Sequence, residues 1–516
     1  MIGAQTNQKS WGDTVRSWLH PRVITMLFLG FSAGIPILLI FSTLSAWLLE
    51  AGVERSAVTF FSWAALGYSF KFVWAPLIDR MPLPIITRLL GRRRAWMVVS
   101  QLLIMGAIFF MASIDPASSQ VHLTGMAGAA ILLGFSSATQ DIVIDAYRIE
   151  CVEEEMQAML SASYIAGYRI GMLVAGAGSL ALASYLGTAM GAYSFAAWRL
   201  TYFAVGLCML VGLITTLIIP EPVQAESVKT INYSTPEYLR FFVLFLISVS
   251  TFGIVFFYTG ALVAAAKEIL NTIFILSANI IGFVFEAMRL FFALAAALLA
   301  ARILVFAGLV DKDMLNDTYI NPIRDFFSRY GLKMALLLLL LIGFYRVSDI
   351  VLGVISTVFY LDIGFSKTEI ATIVKTFGLL MTIVGGFAGG MLTVRFGVKK
   401  ILFGGAVLAA ATNILFMLLA VTGPDPWLLK LVIGADNLAA GIASAAFVAF
   451  LSSLTSISFT AVQYAVFSSI MSLFPKLIGG YSGTIVTTIG YPSFFMLTAL
   501  MGVPVLYLIW LIRKVE

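Results

Sequence analysis

Two otherwise apolar segments within 134–178 carry Asp141, Asp145, Arg148 and Arg169. A charged side chain at membrane depth costs about 3 kcal/mol even on lenient insertion scales, so it normally faces a watery cavity or an opposite charge. Asp141 and Asp145 are four residues apart and share a helix face, and Arg148, three beyond Asp145, can pair with it. Stacked carboxylates beside a cation can take up and release protons or hold a charged solute. Asp145 and Arg148, near a helix end, can equally lock a gate. Asp141 and Arg169 lie deeper in their segments and point to function.

The same test picks out Lys71, Arg346, Lys375 and Lys476 among the cations, and Asp349 and Asp436 among the acids. The two histidines, His20 and His122, sit at segment ends, which argues against a histidine relay. Burial disfavours an ionised carboxylate, so Asp141, Asp349 and Asp436 are the candidate proton carriers, with Asp145 behind them. Arg346 is three residues from Asp349 and can be neutralised by it; Lys71 can snorkel toward a membrane surface.

These residues need helices that cross a membrane to position them. The chain is 60% hydrophobic and only 11% charged, far from the half and quarter of ordinary soluble domains, with mean hydropathy +0.99. Its net charge of +6 falls in short loops, where it reports topology and not a nucleic-acid partner. Two cysteines, Cys151 and Cys208, offer neither a disulfide framework nor a metal spacing. Apolar runs of about 20 residues suffice to span a bilayer. They occur at 23–49, 57–78, 95–113, 123–147, 158–186, 195–219, 239–263, 269–310, 334–361, 370–394, 401–421, 428–454, 461–486 and 493–512, about fourteen helices. Basic clusters follow the second, eighth, tenth and last runs, which places both termini in the cytoplasm.

The chain also repeats itself. Leu49-Glu50-Ala51-Gly52, after the first run, matches Leu361-Asp362-Ile363-Gly364, after the ninth, and Arg169 and Gly176 match Lys476 and Gly483 in spacing. Two homologous six-helix bundles, 23–220 and 334–512, are the plan of a secondary transporter whose site lies between the halves. A cytoplasmic segment 1–22, a central connection 221–333 with two inserted helices, and a tail 513–516 complete the division. Within the insertion, Glu286 and Arg289 are spaced to pair.

Asp79-Arg80 and, further on, Gly91-Arg92-Arg93-Arg94 resemble the signature loop of the major facilitator superfamily, interrupted here by residues 81–90. FSAGIP (31–36), YSFKFVWAPLIDR (68–80), SATQDIVIDAY (137–147), GYRIGML (167–173), FGLLMTIVGG (377–386), DNLAAGIASAAFVAFLSSL (436–454) and FTAVQYAVFSS (459–469) are similar, in order and over both halves, to AmpG-type muropeptide permeases. The inserted central pair departs from that pattern, which has its extra helices after the twelfth.

The resemblance implies an all-α polytopic protein of the bacterial inner membrane. It would import GlcNAc-1,6-anhydro-MurNAc peptides from periplasm to cytoplasm for cell-wall recycling, driven by the proton gradient, as a monomer without a cofactor. Lys71, Arg169, Arg346, Lys375 and Lys476 would then meet substrate carboxylates. Gln140, Tyr164, Tyr168, Asn413, Asn437, Gln463 and Tyr464 would meet sugar or peptide groups, although polar residues of this kind also serve as helix-packing contacts. Asp79, Arg80, Arg92, Arg93 and Arg148 would gate. A related permease for a siderophore or an acyl-CoA shares the scaffold, and a membrane sensor is a further alternative. A hydrolase or pump is disfavoured, because H-E-x-x-H, G-x-S-x-G and Walker A patterns do not occur.

Overall fold

Hydrophobic runs of this length close all their backbone hydrogen bonds internally only as helices, and helices are what the computed structural model contains. It describes residues 16–54, 58, 61, 66–222, 233–273 and 278–515. Among them, thirteen helices are long and apolar enough to cross a membrane.

The first bundle comprises six helical segments. Helix α1 (Pro21–Glu50) starts on an N-terminal proline behind His20, whose ring accepts the Arg22 N–H, and breaks at Phe41. Helix α2 is described from Leu66–Phe70 through a tight turn, Lys71–Val73, to Ala75–Arg80; the rest of the expected span 57–78 lies mostly outside the described residues. Then come α3 (Arg92–Ala112), α4 (Gln120–Glu150), α5 (Glu154–Tyr185) and α6 (Phe195–Ile218). Helix α5 widens to a π-helical turn at Val174–Gly178. Helices α1 and α5 touch backbone to backbone: a Cβ on Gly34 would lie 2.0 Å from the Tyr168 carbonyl oxygen. Small residues permit such approach where no hydrophobic force drives helices together.

Residues 229–324 form a compact unit of their own. In it α7 (Thr235–Ile273) and α8 (Ala278–Phe306) run as two long apolar helices. Helix α7 ends at Ile273 and α8 begins at Ala278, both inside the expected eighth span 269–310. The Arg289 guanidinium donates from Nε to the Phe256 carbonyl at 2.7 Å and lies 3.9 Å over that residue's ring. The side chain of Glu286, its expected partner, lies outside the described residues. Phe257, Leu262, Phe291 and Phe306 are exposed, the pattern of a lipid-facing surface.

The second bundle opens with α9 (Asn321–Phe344), kinked at Gly331 (φ 70°), and α10 (Val347–Asp362), with Arg346 in the break between them. Helix α11 (Ile370–Phe396) begins as a π-helix through Phe377; α12 (Val398–Thr422) and α13 (Pro426–Ser453) follow. The last two expected spans, 461–486 and 493–512, are carried by α14 (Ile457–Gly479), α15 (Ser482–Leu500) and α16 (Gly502–Val515), with short breaks after Gly479 and Leu500. Gly490, which falls between those two expected runs, leaves helical conformation with φ 76° and separates two helices within 482–500; Pro492 opens the second of them. Glycine takes a positive φ without steric cost, and proline is tolerated in the first turn of a helix.

The matched acids of the repeat occupy corresponding places. Glu50 accepts the Trp198 indole N–H of α6 at 2.8 Å, and Asp362 accepts the Tyr491 hydroxyl of α15. Near Glu50, Tyr193 accepts from the Trp47 indole and donates to Asp115 at 2.7 Å; burial, then the Asp115 carboxylate, hold the Tyr193 hydroxyl proton well above its ordinary range.

Candidate functional site

The two bundles meet at the ends that carry the basic loops. Asp79, 3% exposed at the end of α2, accepts from Arg93 Nη2 at 2.7 Å. Its oxygens also accept two backbone N–H groups of the opposite bundle, Ala461 at 3.2 Å and Val462 at 2.9 Å, in the first turns of α14. The first N–H groups of a helix lack intrahelical partners and form the positive end of its dipole, so a carboxylate of one bundle caps a helix of the other.

Arg93 holds that carboxylate from behind. It is 1% exposed and also donates from Nε to Glu150 Oε2 at 3.0 Å. Arg92 donates to the Asp79 carbonyl at 2.8 Å and lies 3.7 Å from Glu150. Glu221 accepts the backbone N–H of Arg93 at 2.7 Å and of Arg94 at 3.0 Å, capping α3. The turn before α3 requires Gly91: its φ is 89°, and a Cβ there would lie 2.5 Å from the Glu221 carboxyl carbon. Arg80 stacks over Phe459 at 5.2 Å.

A second connection uses Arg148. From α4 it donates to Gln157 at 3.0 Å, to Ser161 at 3.1 Å, and across the bundles to Ser452 at 2.9 Å, with Tyr464 of α14 lying 5.1 Å under the guanidinium. Trp18, just before α1, packs on Phe387 of α11 with ring centroids 4.5 Å apart. Beside the Asp79 group, Arg329 donates to the Leu454 carbonyl and to Gln463, and Gln463 donates to Asp325 at 2.8 Å.

Further into the helices the charges are sparser and half-buried. Asp145 pairs with Lys71 at 3.6 Å and with Arg148 at 3.4 Å. Asp141, one turn earlier, accepts the Tyr164 hydroxyl at 3.2 Å, and the Tyr164 and Tyr168 rings lie 6.1 Å apart. Next along α5, Arg169 reaches the Met172 sulfur at 3.9 Å and interacts electrostatically with Arg346 of the other bundle. Arg346 in turn interacts with Asp349, and Asp349 with Asp436. Asp436 lies 3.1 Å from the Thr412 hydroxyl. Arg169 and Arg346 are thus like charges from opposite bundles that influence one another.

A protein of Rickettsia conorii named as transporter AmpG 4 is 30% identical over 488 residues, covering 95% of each chain. The chain belongs to the AmpG family of transporters. A second AmpG relative, the anhydromuropeptide permease of Escherichia coli K12, is 28% identical over 97% of this chain and 81% of its own. A family model described as acetyl-coenzyme A transporter 1 matches residues 22–218, the first bundle alone. Among solved structures, the proton:xylose symporter XylE superposes with a TM-score of 0.59 at 12% identity over 96% of both chains. The fucose:proton symporter FucP of E. coli gives 0.58 at 11%, over 96% of this chain and 99% of its own. The fold is that of the major facilitator superfamily.

Within this AmpG fold the residues singled out from the sequence separate into groups. Asp141, Asp145, Lys71, Tyr164 and Tyr168 form one cluster of the first bundle, and Arg169, Arg346, Asp349 and Asp436 interact in succession. Asp79, Arg80, Arg92, Arg93 and Arg148 come together where the two bundles meet. Gln140 instead is fully buried and donates to Ser32 of α1 at 2.8 Å; Asn413 is buried and donates to Ser348 at 2.6 Å; Asn437 accepts from Thr382 at 2.8 Å. These three join helices, because a buried amide needs a partner in every state. Gln463 holds Arg329 and Asp325, and Tyr464 lies under Arg148, where the bundles meet. Lys375 is exposed on the π-helical start of α11. Lys476 is exposed in the last turn of α14, which ends at Gly479.

Sequence reasoning missed Glu150, Glu221 and Ser452. Glu150 had a signal: an acid closing the helix of Asp141, Asp145 and Arg148, in a chain with three consecutive arginines at 92–94 that need partners. Glu221, directly after Pro220 at a helix end, had a weaker one. Ser452 is one serine among many, and only the packing of α4 on the second bundle selects it.

Proposed function

We propose that this chain is a proton-coupled permease that imports GlcNAc-1,6-anhydro-MurNAc and its peptides across the bacterial inner membrane, with both termini cytoplasmic. The observation that carries this reading is the charge set within the helices: Asp141 on a tyrosine hydroxyl beside an ion-paired Asp145, and two arginines, Arg169 and Arg346, one from each bundle and close enough to influence one another. Carboxylates answer the need for a group that binds and releases a proton, and the arginines answer the carboxylates of a muramyl peptide. The name of the E. coli relative supports the substrate class. The match of 22–218 to an acetyl-coenzyme A transporter favours a second reading, an acyl-CoA carrier, but covers one bundle, whereas the AmpG relatives cover both.

In this proposal the bundles are closed on the cytoplasmic side through Asp79 and Arg148, leaving the centre to be reached from the periplasm. Substrate enters between Arg169 and Arg346, Asp141 is protonated, and the gate opens as the helix cap at Ala461 and Val462 is released. Radiolabelled anhydromuropeptide uptake into right-side-out vesicles, with and without a protonophore, tests it. Asp141→Asn should reduce gradient-driven accumulation while binding persists. Arg169→Ala should weaken binding about 10- to 150-fold, the loss of one charged hydrogen-bonding group, with partial rescue by Lys, which lacks the planar fork. Undiminished wild-type accumulation after the gradient is collapsed refutes proton coupling; uptake of acetyl-CoA without anhydromuropeptide transfers the reading to the second substrate.

A further inference from the structure

The second bundle repeats the acid arrangement of the first with different residues. In the first, Asp145 takes the ion pairs with Lys71 and Arg148, while Asp141, on which Lys71 acts through space, takes a hydrogen bond from a hydroxyl, that of Tyr164. In the second, Asp349 stands one helical turn from Arg346 and interacts with it, while Asp436, on α13, faces the Thr412 hydroxyl of α12. The groups around Asp436 are few. Helix α10 presents Asp349 and Tyr360, with Arg346 beyond Asp349; Arg169 of the first bundle interacts with Arg346; α12 presents Thr412; and α11 turns Thr382 to Asn437.

The geometry at Thr412 discriminates between the two forms of Asp436. Thr412 Oγ1 lies 3.1 Å from Asp436 Oδ1 and 3.0 Å from the Ala409 carbonyl, yet a hydroxyl has one hydrogen to give. With Asp436 ionised, two acceptors compete for that hydrogen, and two half-buried carboxylates, Asp349 and Asp436, stand beside one another. With Asp436 protonated, its O–H donates to Thr412 Oγ1, Thr412 donates to Ala409, and Asp349 keeps Arg346. The second form gives the Asp436 and Thr412 hydroxyl hydrogens one acceptor each, and like-charge repulsion between the two carboxylates favours it too.

We infer that Asp436 is a second proton-carrying residue, so that each transport cycle moves two protons, one on Asp141 and one on Asp436. The inference rests on the proton-coupled reading above. Each carboxylate accepts a proton from the side to which the centre is open and gives it up on the other, and no covalent bond apart from the O–H changes.

Stoichiometry tests it. The purified full chain is placed in proteoliposomes with the membrane potential clamped to zero, one pH unit is imposed across the bilayer, and steady-state accumulation of radiolabelled GlcNAc-anhydro-MurNAc is measured. One pH unit drives about tenfold accumulation per proton, hence about 100-fold for two. Wild type should reach about 100-fold and Asp436→Asn about tenfold. Infrared difference spectra of the purified protein over a pH titration supply a readout independent of transport: Asp436→Asn should remove one protonated-carboxyl band and leave that of Asp141. If Asp436→Asn does not fold, Asp436→Glu must move that band, and an unmoved band overturns the inference. Wild-type accumulation of about tenfold, or an Asp436→Asn protein that still reaches 100-fold, overturns the second site and leaves the function intact. A wild type with no gradient-driven accumulation overturns the proton-coupled reading itself.

Discussion

Asp79 is the residue whose removal should most directly change which side of the protein is open. Its contacts divide into those that persist in both states and those that exist only when the bundles are closed. The Arg93 pair is within one bundle and persists; the bonds from Ala461 and Val462 cross the bundles and are lost on opening. Each is a hydrogen bond to a charged acceptor, worth about 1.5 kcal/mol at the lower end of its range, so Asp79→Ala should shift the closed-to-open balance by about 3 kcal/mol, or about 150-fold. Asp79→Asn retains one acceptor oxygen and should shift it by about half as much, roughly tenfold. The assay is maleimide labelling of a cysteine at Ala162, which faces Gly386 of the other bundle, in inverted vesicles. Labelling should rise in the order wild type, Asp79→Asn, Asp79→Ala. Equal labelling of all three, with equal amounts of folded protein, refutes the cap as a gate.

Three further outcomes are expected. Gly34→Ala should strongly reduce the yield of folded protein in detergent, because its Cβ would sit 2.0 Å from the Tyr168 carbonyl oxygen where about 3.5 Å is comfortable; a normal thermal unfolding midpoint contradicts this. Replacing 229–324 by a flexible linker should leave most uptake intact, since that segment forms a compact unit of its own; complete loss at normal membrane levels assigns it to the mechanism. Reporter fusions after Lys514 and within residues 81–90 should read cytoplasmic, following the loop charges, and a periplasmic signal at either place reverses the orientation.

The sequence by itself determined the material of this protein and most of its charged vocabulary. Apolar runs of bilayer length can be satisfied only as helices, so their number and approximate places were legible, and a charge within such a run is costly enough to mark Asp141, Asp145, Arg169, Asp349 and Asp436 without coordinates. Local spacing also identified the Asp145–Arg148 pair, because residues three apart on a helix are neighbours. Tertiary structure decided what periodicity does not encode: which side chains from distant helices share a space. Glu150 meets Arg93 across 57 residues and Asp79 meets Val462 across 383. Gln140 and Asn413 proved to join helices because the faces they occupy turn toward a neighbour and not toward the centre. Helix ends were the other gap. Gly490 and Pro492 mark a break in one dimension, and Gly490 takes a non-helical φ of 76° there, whereas the apolar run 269–310 carries no such residues where α7 ends at Ile273 and α8 begins at Ala278.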